Sequence, residues 1–315
     1  MEMRKTRIIT EGAVLLAIYA VLLLITLYIP ILNNVTTFFL VLPFILFRGR
    51  FDRKASGLFF IAAIFISFIV GSLHALPLTF MYGVTGIVLG DYIIRNKSRV
   101  QILLAASFAF FITIALSYWL SVFFLQIDYI KELFKMMEEG LKQSKPIIKA
   151  IDPKKGEEAL EQFQTAVELM KKMVPSIAII GSIVNIFVIQ AISIPIIKRF
   201  GIKAESWQPI RMWRLPRAIL WIFLGLIVLS FVSIEKDTLI YTVFLNAFYI
   251  LQLLIMIQGI SFLFFIFFQY NLPKGIAIVL TIFMLINPTF SFLLRVLGVI
   301  DIGTNWREFF RKATD

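Results

Sequence analysis

Along the chain, long apolar blocks with few or no charged residues alternate with short polar connections. Nine blocks qualify as spans: about 12 to 29, 31 to 47, 55 to 73, 75 to 94, 100 to 126, 174 to 197, 216 to 234, 238 to 268 and 274 to 298. At 1.5 Å of rise per residue, roughly 20 residues cross a hydrocarbon core of ~30 Å, so each block reads as a transmembrane helix. Blocks of this length exclude a β-barrel, whose strands are shorter and alternate. The expected fold is all-α, a polytopic transmembrane helical bundle. Arg4, Lys5 and Arg7 precede the first block as in a signal peptide, yet its apolar core is long and no clear small-residue cleavage site follows. It reads as a retained first helix.

One connection departs from this pattern. Between Asp128 and about Val174 lie nine Lys and nine Asp or Glu, which balance. Ile130, Leu133, Phe134 and Met137 share one helical face, and Leu160, Phe163, Val167 and Met170 repeat it, with Lys145-Pro146 and Asp152-Pro153 as expected breaks. This predicts a helical hairpin over 128–174 with a charged, solvated face. Asn287-Pro288 interrupts the last block, because proline removes a backbone donor and clashes with the preceding turn. The chain therefore divides into a six-span unit, residues 1–200, and a region 201–315 made of a basic interfacial connector and about three further spans.

Composition adds that 60% of residues are hydrophobic, 33 are Phe and only 16% are charged, too apolar for an ordinary water-soluble globule. The net charge of +12 does not call for nucleic acid, because the basic residues sit in short connections where membrane topology accounts for them. There are three Lys or Arg at the N-terminus, four from Arg48 to Lys54, three at Arg95, Lys97 and Arg99, and six from Lys198 to Arg217. The connections at Asn33-Asn34 and Gly71 to Ala75 carry none. Cationic loops resist translocation, so the N-terminus is expected in the cytoplasm and the hairpin outside. Nine full passes would put Arg307, Arg311 and Lys312 outside, against that rule; a re-entrant last segment would return them.

Reactive chemistry is sparse. Without cysteine there is no disulfide or thiolate metal site, and the single histidine, His74, makes no zinc cluster. Asp91 and Arg295 lie near span ends, where headgroup contact or snorkelling accommodates them. No acid pair, His/carboxylate pair or HExxH occurs in the spans, and Gly83, Gly86 and Gly90 read as close helix packing, not as a phosphate loop. No catalytic residue, metal or cofactor is expected, and the chain reads as a non-enzyme. What remains is neutral polar and aromatic: Asn33, Asn34, His74, Tyr82, Tyr118 and Trp119 in the outer halves of the first spans, and Asn185 near mid-membrane. Such groups suit a pocket for a small neutral or amphipathic molecule.

Two segments suit partners. Ala13, Ala17 and nearby Ala20 give the first helix a small face that another helix can approach closely. Arg211, Arg214 and Arg217 recur every three residues among Trp207, Trp213 and Trp221, which suits the headgroup layer or a cytoplasmic partner. Asn246, Gln252 and Gln258, six apart, fall on different faces of their helix and do not line one channel.

Ile29-Pro30, Leu42-Pro43 ahead of the basic turn and Gly57, Leu76-Pro77, and Gly83-Val-Thr-Gly86-Ile-Val-Leu-Gly90 together resemble the six-helix S components of energy-coupling factor (ECF) vitamin transporters. The Ala13/Ala17 spacing resembles that family's small-residue motif, which contacts a transmembrane coupling protein. The whole chain, with its hairpin and its Trp213-Arg214-Leu215-Pro216 stretch, is more similar to the YybS-like family of bacterial membrane proteins. The resemblance implies a bacterial cytoplasmic (inner) membrane, an outward-open cavity formed by spans four to six and the external loops, a small-molecule substrate, and energy from a coupling protein with two ATP-hydrolysing subunits. This chain has no GxxxxGK[ST] of its own. The longer polar insert and the additional spans depart from the S-component pattern. The expected function is a substrate-binding transporter subunit in the lipid bilayer; the rival expectation is a membrane scaffold that recruits partners through the hairpin and the arginine-rich connector.

Overall fold

The computed structural model describes residues 2–124, 126–151, 153–232, 234–235, 238–304 and 306–308, and among them every regular element is helical. Six segments are long and apolar enough to cross a bilayer: Lys5–Tyr28, Pro30–Arg50, Arg53–Ile94, Arg99–Phe124, Val174–Arg199 and Leu239–Gln269. This is a polytopic helical membrane protein. Its residues cluster into two compact units, one of Met1–Val167 with Ile177–Ser206, the other of Glu168–Ser176 with Trp207–Asp315.

In the first unit, α1 (Glu2–Tyr28) is followed by a segment that proline breaks into pieces. Pro30 opens α2 (Pro30–Thr36) at a position where its missing amide is not needed, and Pro43 does the same for α3 (Leu42–Arg50). The expected helix over 31 to 47 is therefore two short helices joined by a 3-10 turn.

The third and fourth expected spans form one continuous helical element, α4 (Arg53–Ile94). It is not straight. Ser67 Oγ and Thr79 Oγ1 lie 2.5 Å apart, and Arg53 reaches Asp91 at 2.8 Å across 38 positions, about 57 Å along a straight helix. The chain reverses at Gly71 and Ser72, where Ser72 takes φ 53 and ψ -149, so residues 53–70 and 73–94 are antiparallel arms. The Gly71 to Ala75 connection is thus a two-residue reversal, and His74 and Pro77 belong to the returning arm.

Packing between α3 and that arm is as close as glycine permits. A methyl group at Gly86 would sit 2.6 Å from Phe44 Cβ and 2.9 Å from the Val41 carbonyl oxygen, and one at Gly90 would sit 2.8 Å from Arg48 Cβ. Gly83, Gly86 and Gly90 are the packing face that their spacing predicts. Tyr19 of α1 donates to Thr79 at 2.7 Å beside Ser67, and its ring meets Phe44 edge-on at 5.1 Å, which ties α1 to both arms and to α3. α5 (Arg99–Phe124) and α8 (Val174–Arg199) complete the unit's long helices. Between them, α6 (Tyr129–Ile151) and α7 (Pro153–Lys172) occupy the charged insert. α6 runs on through Pro146, so Lys145-Pro146 is not the expected break; Asp152 lies outside the described residues.

In the second unit α9 (Arg217–Ser230) has 14 residues, roughly 21 Å, which is short for the full span expected there. α10 (Leu239–Gln269) is long enough. The last expected span is α11 (Lys274–Ile286) and α12 (Pro288–Gly303), bent by 116° at Asn287, whose side chain accepts from the Thr289 amide to cap α12. The straight ninth pass is thereby replaced by a broken segment, and Arg307 comes back to the connector, donating to the Arg211 carbonyl at 2.8 Å. Arg311 and Lys312 lie outside the described residues. α12 crosses α10 at Gly259 and Gly298, where a methyl group would strike the backbone carbonyls of Leu294 and Ile255.

Backbone cannot rotate aside as a side chain can, so Gly259→Ala or Gly298→Ala will cost about 3 kcal/mol in detergent unfolding. Gly275→Ala, which meets open space, will stay within about 0.5 kcal/mol of the native protein.

Candidate functional site

The residues expected to bind substrate separate into two groups. Asn33 and Asn34 are exposed on α2, where Asn33 Oδ1 accepts from Thr37 at 3.1 Å. His74 is exposed in the first turn after the reversal. Trp119 is 55% exposed and stacks on Phe123 at 5.4 Å, on the outside of α5. Tyr118, one position away and so rotated by about 100°, donates to Asp128 at 2.9 Å. Tyr82 and Asn185, by contrast, come together from different helices: Tyr82 is 4% exposed, packs on Phe110 at 5.5 Å and faces Asn185 of α8.

From that contact buried polar groups continue along α5 and along α8, the same-end order of the two helices being set by Arg99 at the start of α5, which feels the charge of Glu205 just beyond α8. The buried face of α5 includes Arg99, Ile102, Ala106, Ser107 and Phe110. That of α8 includes Ile186, Ile189, Gln190, Ser193 and Ile197, at the three- and four-residue steps of a helix. Taking Phe110 and Asn185 as level, a rise of 1.5 Å per residue puts Ser107 roughly 4 Å below them, Gln190 roughly 8 Å, Ser193 roughly 12 Å and Arg99 roughly 16 Å.

Among the described residues, Asn185 Oδ1, both polar atoms of Gln190, the hydroxyls of Ser107 and Ser193 and all three Arg99 nitrogens are buried without a hydrogen bond. Each such group costs about 1–3 kcal/mol, and native interiors keep few of them. Neighbouring hydroxyls are satisfied within their own helices, Thr113 by the Phe110 carbonyl and Ser182 by the Ala178 carbonyl. The shortfall falls mostly on the buried faces of α5 and α8 in the first unit, whose amides and hydroxyls can donate and accept toward a small guest. Sequence reading singled out Asn185 and Tyr82 and did not single out Gln190, Ser193, Ser107 or Arg99 for binding. Their signal was present: polar residues on the otherwise apolar, inward face of each helix.

A family model described as "Predicted membrane protein (DUF2232)" matches residues 17–302. The chain belongs to this family. It is also similar to "Uncharacterized protein YybS" of Bacillus subtilis (strain 168), 28% identical over 311 residues, which cover 97% of this chain and 99% of that protein. No solved structure matches. The family region takes in all of α5 and α8 and most of the second unit.

Two ionic clusters flank the apolar interiors of this family member. Asp91 is not merely a headgroup-side carboxylate: it binds Arg48 at 2.5 Å, Arg53 at 2.8 Å and Arg95 at 3.1 Å. In the second unit Asp301 and Arg307, with side chains 1% and 6% exposed, pair at 2.5 Å. Arg307 also donates to the Trp213 carbonyl and Ser261, while Gln258 accepts from the Leu215 amide and donates to Asp301. An ion pair buried in protein was not expected, because Asp301 falls just beyond the last apolar block. Asn246 turns elsewhere, accepting from the Ser176 amide at 2.8 Å and donating to the Lys172 carbonyl. Of the connector arginines, Arg211 lies over the Phe268 ring at 3.8 Å, and Arg214 and Arg217 are exposed. Ala13 and Ala17 are exposed and Ala20 is half-buried.

Removing the shared carboxylate leaves three guanidinium groups crowded together. Asp91→Asn will therefore cost about 3 kcal/mol of stability, whereas Arg53→Gln, at a side chain 62% exposed, will cost under about 1 kcal/mol. Outside the spans, the Lys131 amide and then the Tyr118 hydroxyl hold Asp128 below its ordinary carboxylate value. The folded value is the depressed one, so the cap on α6 is in full effect above the ordinary pKa and is lost as pH falls through the lowered one. Amide exchange at 129–131 will accelerate across that acid window, and Asp128→Asn will flatten the response.

Proposed function

We propose that this protein is the substrate-binding membrane subunit of a transporter for a small neutral or amphipathic nutrient, energised by separate ATP-hydrolysing subunits and itself non-catalytic. The buried faces of α5 and α8 carry this reading: inside a bilayer, buried amides and hydroxyls that no described residue satisfies make sense as the lining of a site whose occupant completes the hydrogen bonds. Tyr82 supplies an aromatic wall at its upper end. The resemblance of residues 1–200 to S components supports the same assignment, with the N-terminus in the cytoplasm of a bacterial inner membrane. A transmembrane coupling protein would dock on the exposed face of α1 at Ala13 and Ala17, flanked by Val14, Ile18 and Val21, with Arg214 and Arg217 as cytoplasmic contacts.

The test uses the trade-off between stability and binding. In purified full-length protein screened against vitamin-like compounds, Gln190→Leu will stabilise the free protein by about 1–2 kcal/mol, since it removes two unpaired polar atoms, and will abolish the thermal shift that a ligand produces. A Gln190→Leu protein less stable than the native one, together with no shift from any compound, would sink this reading. Recovery of stable partners other than an ATPase, with substitutions at Gln190 and Ser107 silent, would favour the scaffold instead.

A further inference from the structure

Between the connector, the end of α10 and the start of α11 lies an open groove of about 440 Å³, within the range of small-molecule sites. Its wall is apolar, from Phe264, Phe267, Leu272 and Ile278, and its two charged residues, Arg211 and Lys274, are both cations. No acidic residue is among the described residues that line it. Arg211 is not a loose surface side chain. Its guanidinium lies over the Phe268 ring at 3.8 Å, and its carbonyl is held by Arg307 at 2.8 Å, itself locked to Asp301.

We propose that this groove binds an anionic phospholipid, with the phosphate on Arg211 and Lys274 and an acyl chain along the phenylalanine wall. Charge complementarity selects an anion, because both cations line the same hollow and no carboxylate is among the described residues that line it with them; Glu308 lines the adjoining hollow, which Arg211 also lines. The wall selects an amphiphile: a free phosphate would neutralise the cations but leave the aromatic and aliphatic lining uncovered. A zwitterionic lipid would cover the wall and bring its own cation to a site already carrying two. The adjoining hollow holds Arg211, Arg214 and Arg307 against one acid, Glu308, so its balance is positive as well. The argument is independent of the transport reading, since every residue belongs to the second unit.

The experiment reconstitutes the full chain in phosphatidylcholine bilayers doped with phosphatidylglycerol and counts retained lipids by native mass spectrometry. The native protein should retain phosphatidylglycerol with about tenfold preference over phosphatidylcholine. Arg211→Gln/Lys274→Gln should lose that preference, while Arg199→Gln/Lys203→Gln, which removes two cations elsewhere, should keep it. Ile278→Trp fills the groove from a residue 48% exposed and leaves both charges in place, so it should also lose retention even if the double variant fails to fold. Equal retention of both lipids by the native protein, or unchanged retention in Ile278→Trp, overturns the proposal. Displacement of the lipid by millimolar inorganic phosphate would do so too, by showing a site for a free anion.

Discussion

A bilayer offers no water to a polar group, so each buried donor or acceptor must find its partner within the protein or leave a measurable cost. Polar groups on α5 and α8 of the first unit and around Arg307 in the second answer that constraint in opposite ways. In the second, Gln258 is engaged at both ends of its amide, and Ser261 and Asp301 are engaged by the same Arg307. In the first, no described residue engages either end of Gln190, and Ser193, Ser107 and Arg99 add to the deficit on α8 and α5. A closed network fixes structure. An open one, in the same solvent and of the same residue types, is the place to look for binding.

The closed network explains how a proline-broken segment keeps a defined position. Asn287-Pro288 frees the chain to bend, and nothing local sets the direction of the bend. Direction comes from what lies beyond: α12 is pressed onto α10 where Gly259 and Gly298 let the backbones touch, and Arg307 then fastens the following residues to the connector carbonyls. Buried ion pairs are poor sources of net stability but good determinants of arrangement, and this one joins α12, α10 and the connector. The glycines serve the same end in the first unit, since in lipid helices gain little from hydrophobicity and associate by close packing.

Charge at the ends of the spans obeys a related logic. Asp91 gathers three arginines, yet only Arg48 is drawn in, at 12% exposure; Arg53 and Arg95 keep 62% and 49% of their side chains open. The excess positive charge thus faces outward, where headgroups and water can screen it, and the buried pair is neutral.

Chain pattern alone was enough for the helical class, the membrane setting, the apolar blocks and the packing role of Gly83, Gly86 and Gly90, because each depends on local length, composition or period. It also located the two reversals in general terms, through Gly71 and through Asn287-Pro288. It could not say that the helix over 31 to 47 breaks, that α6 survives Pro146, or that block seven is too short, since such outcomes turn on what neighbouring elements supply to freed or missing backbone groups. Tertiary structure alone decided the partners: that Asp91 meets Arg48 and Arg53 from distant positions, that Tyr118 and Trp119 point apart while Tyr82 meets Asn185, and that Gln258 is satisfied while Gln190 is not. A helix's own period fixes which residues share a face, but what that face meets is set by the packing of other helices against it.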